Sequence, residues 1–93
     1  MLVTKNYAVM WSSTNNRAIP QLPKLYNILH IVSEDAQTAA EIACFKLSEI
    51  IMEQFPTFTC KIETDPQEPY SMKVEIFENE SFVGKIYGFN ILE

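Results

Sequence analysis

The sequence predicts an α+β fold, an antiparallel sheet of four to five strands packed on one long helix in the order β-β-α-β-β-β. Three observations carry that expectation. Residues 33–55, SEDAQTAAEIACFKLSEIIMEQF, hold the only sustained helical period in the chain. Within them Ala36, Ala39, Ala40, Ala43, Leu47, Ile50 and Ile51 fall on one stripe at about 100° per residue, the pattern of a helix with one buried face. The flanking stretches instead alternate apolar and polar residues with the period of two that marks half-buried strands. Finally, 93 residues of which 47% are hydrophobic suffice for one domain spanning residues 1–93, since a chain of this size buries roughly 60–65% of its unfolded surface.

Residues 2–12 read as the first strand, because Val3, Tyr7, Val9 and Trp11 alternate with Thr4, Asn6 and Ser12, while Ala8 and Met10 suggest cover on the second face as well. Residues 13–24, STNNRAIPQLPK, are polar and then proline-punctuated, so a long loop is expected there. A second strand follows over residues 25–32, with Tyr26, Ile28, His30 and Val32 on one face and Leu25, Leu29 and Ile31 on the other.

Ser33 offers an N-cap for the helix, and Glu34 and Asp35 place carboxylates at the positive end of its dipole. Pro56 ends it near Gln54 or Phe55, since the residue before a proline is held out of the helical region. Residues 57–64 alternate most cleanly, with Phe58, Cys60 and Ile62 inward, and residues 65–69 form a turn. Residues 70–78 give the next strand, with Met72, Val74 and Ile76 inward. Residues 78–81 form a tight hairpin and residues 82–92 the last strand. Gly84 and Gly88, the only glycines, signal a bulge or close backbone approach in that strand.

Seven cations against twelve carboxylates give a formal charge of −5, which disfavours generic attachment to phosphate backbones. Strand pairing is expected to gather Lys61, Lys73 and Lys85 on one sheet face as a local patch. The N-terminus lacks a basic leader and a long apolar run, and no segment approaches the ~20 apolar residues of a membrane span, so a cytoplasmic protein is expected. Cys44 and Cys60 lie among apolar neighbours and read as buried free thiols. Asn79-Glu80-Ser81 matches a glycosylation sequon but reads as a turn.

Catalytic chemistry finds little footing. One histidine and two cysteines on different elements do not make a metal site, and two glycines inside a strand do not make a phosphate loop. His30 is the only conventional base, and its strand is expected to neighbour that of Cys60, with both residues at core positions. No enzyme activity, cofactor or metal is therefore expected. Two surfaces stand out for binding instead. Asn15, Asn16 and Arg17 in the polar loop combine amides with a planar cationic fork suited to carboxylates, phosphates or backbone edges, including a local RNA contact. Ile42, Phe45 and Met52 fall on the helix side that also carries Glu41, Glu49 and Glu53, where outward apolar groups suggest a partner.

In size, charge, element order and the run Trp11-Ser12-Ser13-Thr14-Asn15-Asn16-Arg17, the chain as a whole resembles the small acidic proteins that phages use against host defences, anti-CRISPR proteins among them. The resemblance implies a stoichiometric inhibitor that occludes a host protein or ribonucleoprotein, such as a type I CRISPR surveillance complex, in the host cytoplasm. It brings no family site residues with it. A small homodimeric or subunit-type housekeeping module is the other reading, distinguished by whether the purified chain self-associates through the helix.

Overall fold

A computed structural model describes residues 3–16, 28–65 and 68–93. Among these residues five strands and one helix follow in order: β1 (Lys5–Asn16), β2 (Ile28–Ser33), α1 (Ala36–Gln54), β3 (Phe58–Asp65), β4 (Glu68–Glu78) and β5 (Ser81–Leu92). The strands form one antiparallel sheet in the order β2-β1-β5-β4-β3, curled into a half-barrel with α1 packed against it.

The core lies between α1 and the sheet. Tyr7, Val9 and Trp11 of β1, Ile31 of β2, Phe58 of β3, Met72, Val74 and Ile76 of β4, and Ile86 and Phe89 of β5 meet Ala39, Ala40, Ala43, Cys44, Leu47 and Ile51 of α1. The alanines explain how a helix sits close on a curled sheet: small side chains let its backbone approach, while Leu47 and Ile51 fill the deeper space with no exposed surface. Ile50 and Ala36, expected in the same stripe, are only half-buried at its margins.

The helix starts later than Ser33. Asp35 is the N-cap, its carboxylate accepting the Thr38 N–H at 2.7 Å, and this bond holds its pKa below the ordinary 3.8. Ser33 is instead the last residue of β2, buried, with its hydroxyl donating to the Asp35 carbonyl at 2.6 Å and accepting the Asp35 N–H at 3.2 Å. At the other end Phe55 caps the helix by donating its N–H to the Ile51 carbonyl at 2.8 Å, just before Pro56.

β1 extends beyond the expected strand: its backbone continues in register with β5 from Trp11↔Phe89 to Asn16↔Gly84. Residues 13–16 therefore belong to the ladder and not to a loop. The physical reason is β5, a twelve-residue strand whose edge offers partners to backbone groups that would otherwise go unpaired. The connection from residue 17 onward, and residues 25–27 of the expected second strand, lie outside the described residues. Strands β3 and β4 likewise run into the expected 65–69 turn, pairing Asp65 with Glu68.

Two backbone features stand out in the sheet. Asn79 and Glu80 both have positive φ, 51° and 67°, the signature of a two-residue hairpin turn whose twist matches its strands. Gly88 has φ 72°, and the in-out alternation of β5 slips there. Gly84 and Ile86 face the helix before it, and Phe89 faces the helix after it.

Candidate partner-binding surfaces

Alternation along each strand sends one residue in two to the sheet face away from α1, and that outer face divides into two chemically distinct halves. On the β3-β4 side Lys61, Lys73 and Lys85 do share it, as expected, but strand register interleaves them with acids. Glu75 lies opposite both Lys61 and Lys85, and Glu63 lies opposite Lys73. Glu63 pairs with Lys61 at 3.0 Å and with Lys73 at 3.7 Å. The bond from Lys61 holds the Glu63 carboxyl below its usual range and raises the Lys61 ammonium in turn. Lys85 sits 4.7 Å from the centroid of the Tyr87 ring. Glu63 and Glu75 thus offset most of the charge of the three lysines, so the patch is weak.

The β2-β1-β5 half is apolar. Ala8 faces His30 on β2 and Leu92 on β5, and Met10 faces Ile28 and Asn90. Ile28, Val32 and Leu92 are exposed, and His30 is exposed among them. The sequence groups Ile28, His30 and Val32 on one face and expects His30 in the core; instead this face meets water and His30 is exposed. The missing signal was the pairing of β1, whose Tyr7 and Val9 fix the inward set.

On α1, Phe45 and Met52 point away from the sheet as expected, 61% and 39% exposed. Glu49 and Glu53 are exposed and Glu41 is half-exposed beside them. Ile42 is half-buried and packs against the margin of the core, so the outward stripe is centred on Phe45. Its neighbour Ser48 is buried without loss because its hydroxyl donates to the Phe45 carbonyl at 2.8 Å.

The polar candidates fare differently. Asn15 and Asn16 lie in β1, with backbones opposite Lys85 and Gly84, so they are strand residues; Arg17 lies outside the described residues.

His30 and Cys60 are not neighbours. β2 and β3 are opposite edges of the sheet with three strands between them, His30 is exposed and Cys60 half-buried. Burial pushes the Cys44 thiol up to about 12 and the Cys60 thiol up to about 11, so neither is an activated nucleophile. Among the described residues no three His, Cys, Asp or Glu side chains gather as a metal site. No described helix is long and apolar enough to cross a membrane. Comparison with known protein families, with curated proteins and with solved structures finds no match to this chain.

Proposed function

We propose that this chain is a non-enzymatic binding protein that inhibits by occlusion, laying the outer face of α1 on a host protein or ribonucleoprotein complex in the host cytoplasm. A type I CRISPR surveillance complex is the partner that the resemblance in size, charge and element order favours. The observation that carries the reading is Phe45, an aromatic side chain 61% exposed on a helix whose opposite face is packed against the sheet. Buried aromatic anchors supply most of the energy of typical interfaces, and a ring of near-neutral contacts keeps water out around them.

The rim of Glu41, Glu49 and Glu53 adds a preference. Carboxylates around an apolar centre suit a basic groove, and grooves that hold nucleic-acid strands are basic because they must neutralise phosphates. An acidic cap seated there blocks the strand from entering. Arg17 is kept as a secondary contact for a carboxylate or an RNA phosphate.

The test is a titration of the purified chain onto a type I surveillance complex, with Phe45→Ala and Arg17→Ala compared and folding checked by circular dichroism. Phe45→Ala is expected to weaken binding by about 30-fold or more, the ~2 kcal/mol of a central aromatic anchor. Arg17→Ala is expected to weaken it less. Absence of wild-type binding rejects the partner, and a loss confined to Arg17→Ala moves the interface off the helix.

A further inference from the structure

We infer that β2 pairs edge to edge with β2 of a second copy of this chain, joining two curled sheets into one. The sheet order leaves β2 and β3 as its edges. Edge strands present unpaired N–H and C=O groups, and proteins blunt them with lysines, inward charges, prolines or bulges. β3 has such protection: Lys61 and Glu63 lie along it and its register with β4 shifts between Glu63 and Asp65. β2, ILHIVS, carries no lysine, arginine, carboxylate or proline, and its register with β1 runs unbroken from Lys5↔Ser33 to Met10↔Ile28. Among the described residues nothing pairs with its outer edge, which is flat and apolar.

Charge selects the occupant. The chain is −5 overall, so two copies repel unless they meet where neither presents carboxylates. The outer face of α1 carries Glu41, Glu49 and Glu53, and the β4-β5 hairpin carries Glu78 and Glu80. By contrast, the strip formed by Ile28, His30 and Val32 with Ala8, Met10, Asn90 and Leu92 carries none, and the Lys5–Glu93 pair at its rim, 2.9 Å apart, cancels itself. A basic peptide gains nothing from the strip itself, whereas an identical acidic copy meets no like charge along it; the exposed Glu34 and Asp35 just past β2 fall at opposite ends of a two-fold antiparallel pair.

Symmetry then sets the register. A two-fold axis through an antiparallel pair keeps opposite residues on the same face, so a residue must oppose its own copy. With His30 at the axis, Ile28 of each copy packs against Val32 of the other on the outer face. On the core side the same register sets Leu29 opposite Ile31, which is already buried in the core of its own copy. This register covers Ile28 and Val32, now 40% and 61% exposed. A pairing this short belongs to the small, concentration-dependent class of interface.

Sedimentation velocity on the full chain across roughly 1 to 300 μM, the span of weak to moderate affinities, tests the pairing. Wild type is expected to move from monomer to dimer mass over that range. His30→Lys, which sets two lysines face to face on the outer surface, is expected to stay monomeric with an unchanged circular dichroism spectrum. Val32→Lys supplies the same test at the flanking pair should His30→Lys lose its fold. In parallel, His30→Cys treated with a short bismaleimide is expected to give a covalent dimer, whereas Lys61→Cys on the β3 edge is not. A wild type that remains monomeric throughout, lysine variants that dimerise like wild type, or cross-linking at Lys61→Cys in place of His30→Cys each overturn the proposal.

Discussion

Leu47→Ala is the sharpest probe of the packing between α1 and the sheet. Leu47 has no exposed surface and stands among the largest fully buried side chains. The substitution removes three carbons, roughly 2.4 kcal/mol at about 0.8 kcal/mol per buried CH₂. A cavity term follows because Ile51, Val74 and Ile76 of the same core are themselves fully buried and collapse only in part, so the total loss comes to about 3–4 kcal/mol. That is a large share of the ~5–14 kcal/mol expected of a domain this size. Urea unfolding followed by fluorescence reads it directly, since Trp11 is the sole tryptophan, is buried, and lies 6.3 Å from Phe89. Two companions make the result diagnostic. Ile50→Ala, at the half-buried margin, is expected to cost about 1–2 kcal/mol, and Phe45→Ala, on the open face, to stay within about 0.5 kcal/mol. A Leu47→Ala loss below about 0.5 kcal/mol, or a Phe45→Ala loss exceeding it, would falsify the assignment of the helix face.

Three further outcomes are expected. Glu80→Gly relieves a non-glycine residue at φ 67° in the hairpin and is expected to stabilise by about 0.5–1 kcal/mol in thermal melts; a decrease refutes the turn geometry. The Asp35 carboxyl is held below 3.8 in the folded chain by the Thr38 N–H. Its contribution is therefore present above that value and lost as pH falls through the lower folded pKa. Asp35→Asn, which keeps a capping oxygen, is expected to flatten the fall of melting temperature below about pH 4; an unchanged acid limb removes Asp35 from the account. Iodoacetamide at pH 8 is expected to leave Cys44 and Cys60 unmodified in the native chain, their thiols being pushed to about 12 and about 11, and to label both in urea. Rapid native labelling of Cys44 contradicts its burial.

The order of the described elements, the long helix and most inward residues were legible because α1 and β3 follow their periods closely. Ambiguity began where periodicity stops carrying information. Residues 13–16 are Ser, Thr and two Asn; asparagine is depleted from strands and no apolar alternation runs through them, so only the length of β5 across the sheet makes them a strand. Ser33 and Asp35 both cap well in principle; the choice rests on where β2 ends, and the paired hydrogen bonds of the Ser33 hydroxyl consume it locally. Gly84 and Gly88 signal a bulge or a close approach; the register shift falls beside Gly84, between Ile76 and Phe77 of β4, whereas at Gly88 the pairing with β1 runs unbroken and only the burial alternation slips. Strand order was the largest gap: nothing in the local pattern says that β2 and β3 stand at opposite edges, which separates His30 from Cys60. The same gap hid the apolar outer strip on β2 and β1. The outward stripe of α1 was readable in advance, because helical angle alone places Phe45 and Met52 opposite the alanines.

The most direct measurement of the occlusion account is competition for target DNA on a purified type I surveillance complex, using the folded chain and its Phe45→Ala variant over a range of concentrations. The account predicts that wild type displaces or excludes the DNA in proportion to the chain added, up to a fixed stoichiometry, and that Phe45→Ala requires about 30-fold more for the same effect. DNA binding that is indifferent to the wild-type chain, or lost equally to wild type and Phe45→Ala, contradicts it.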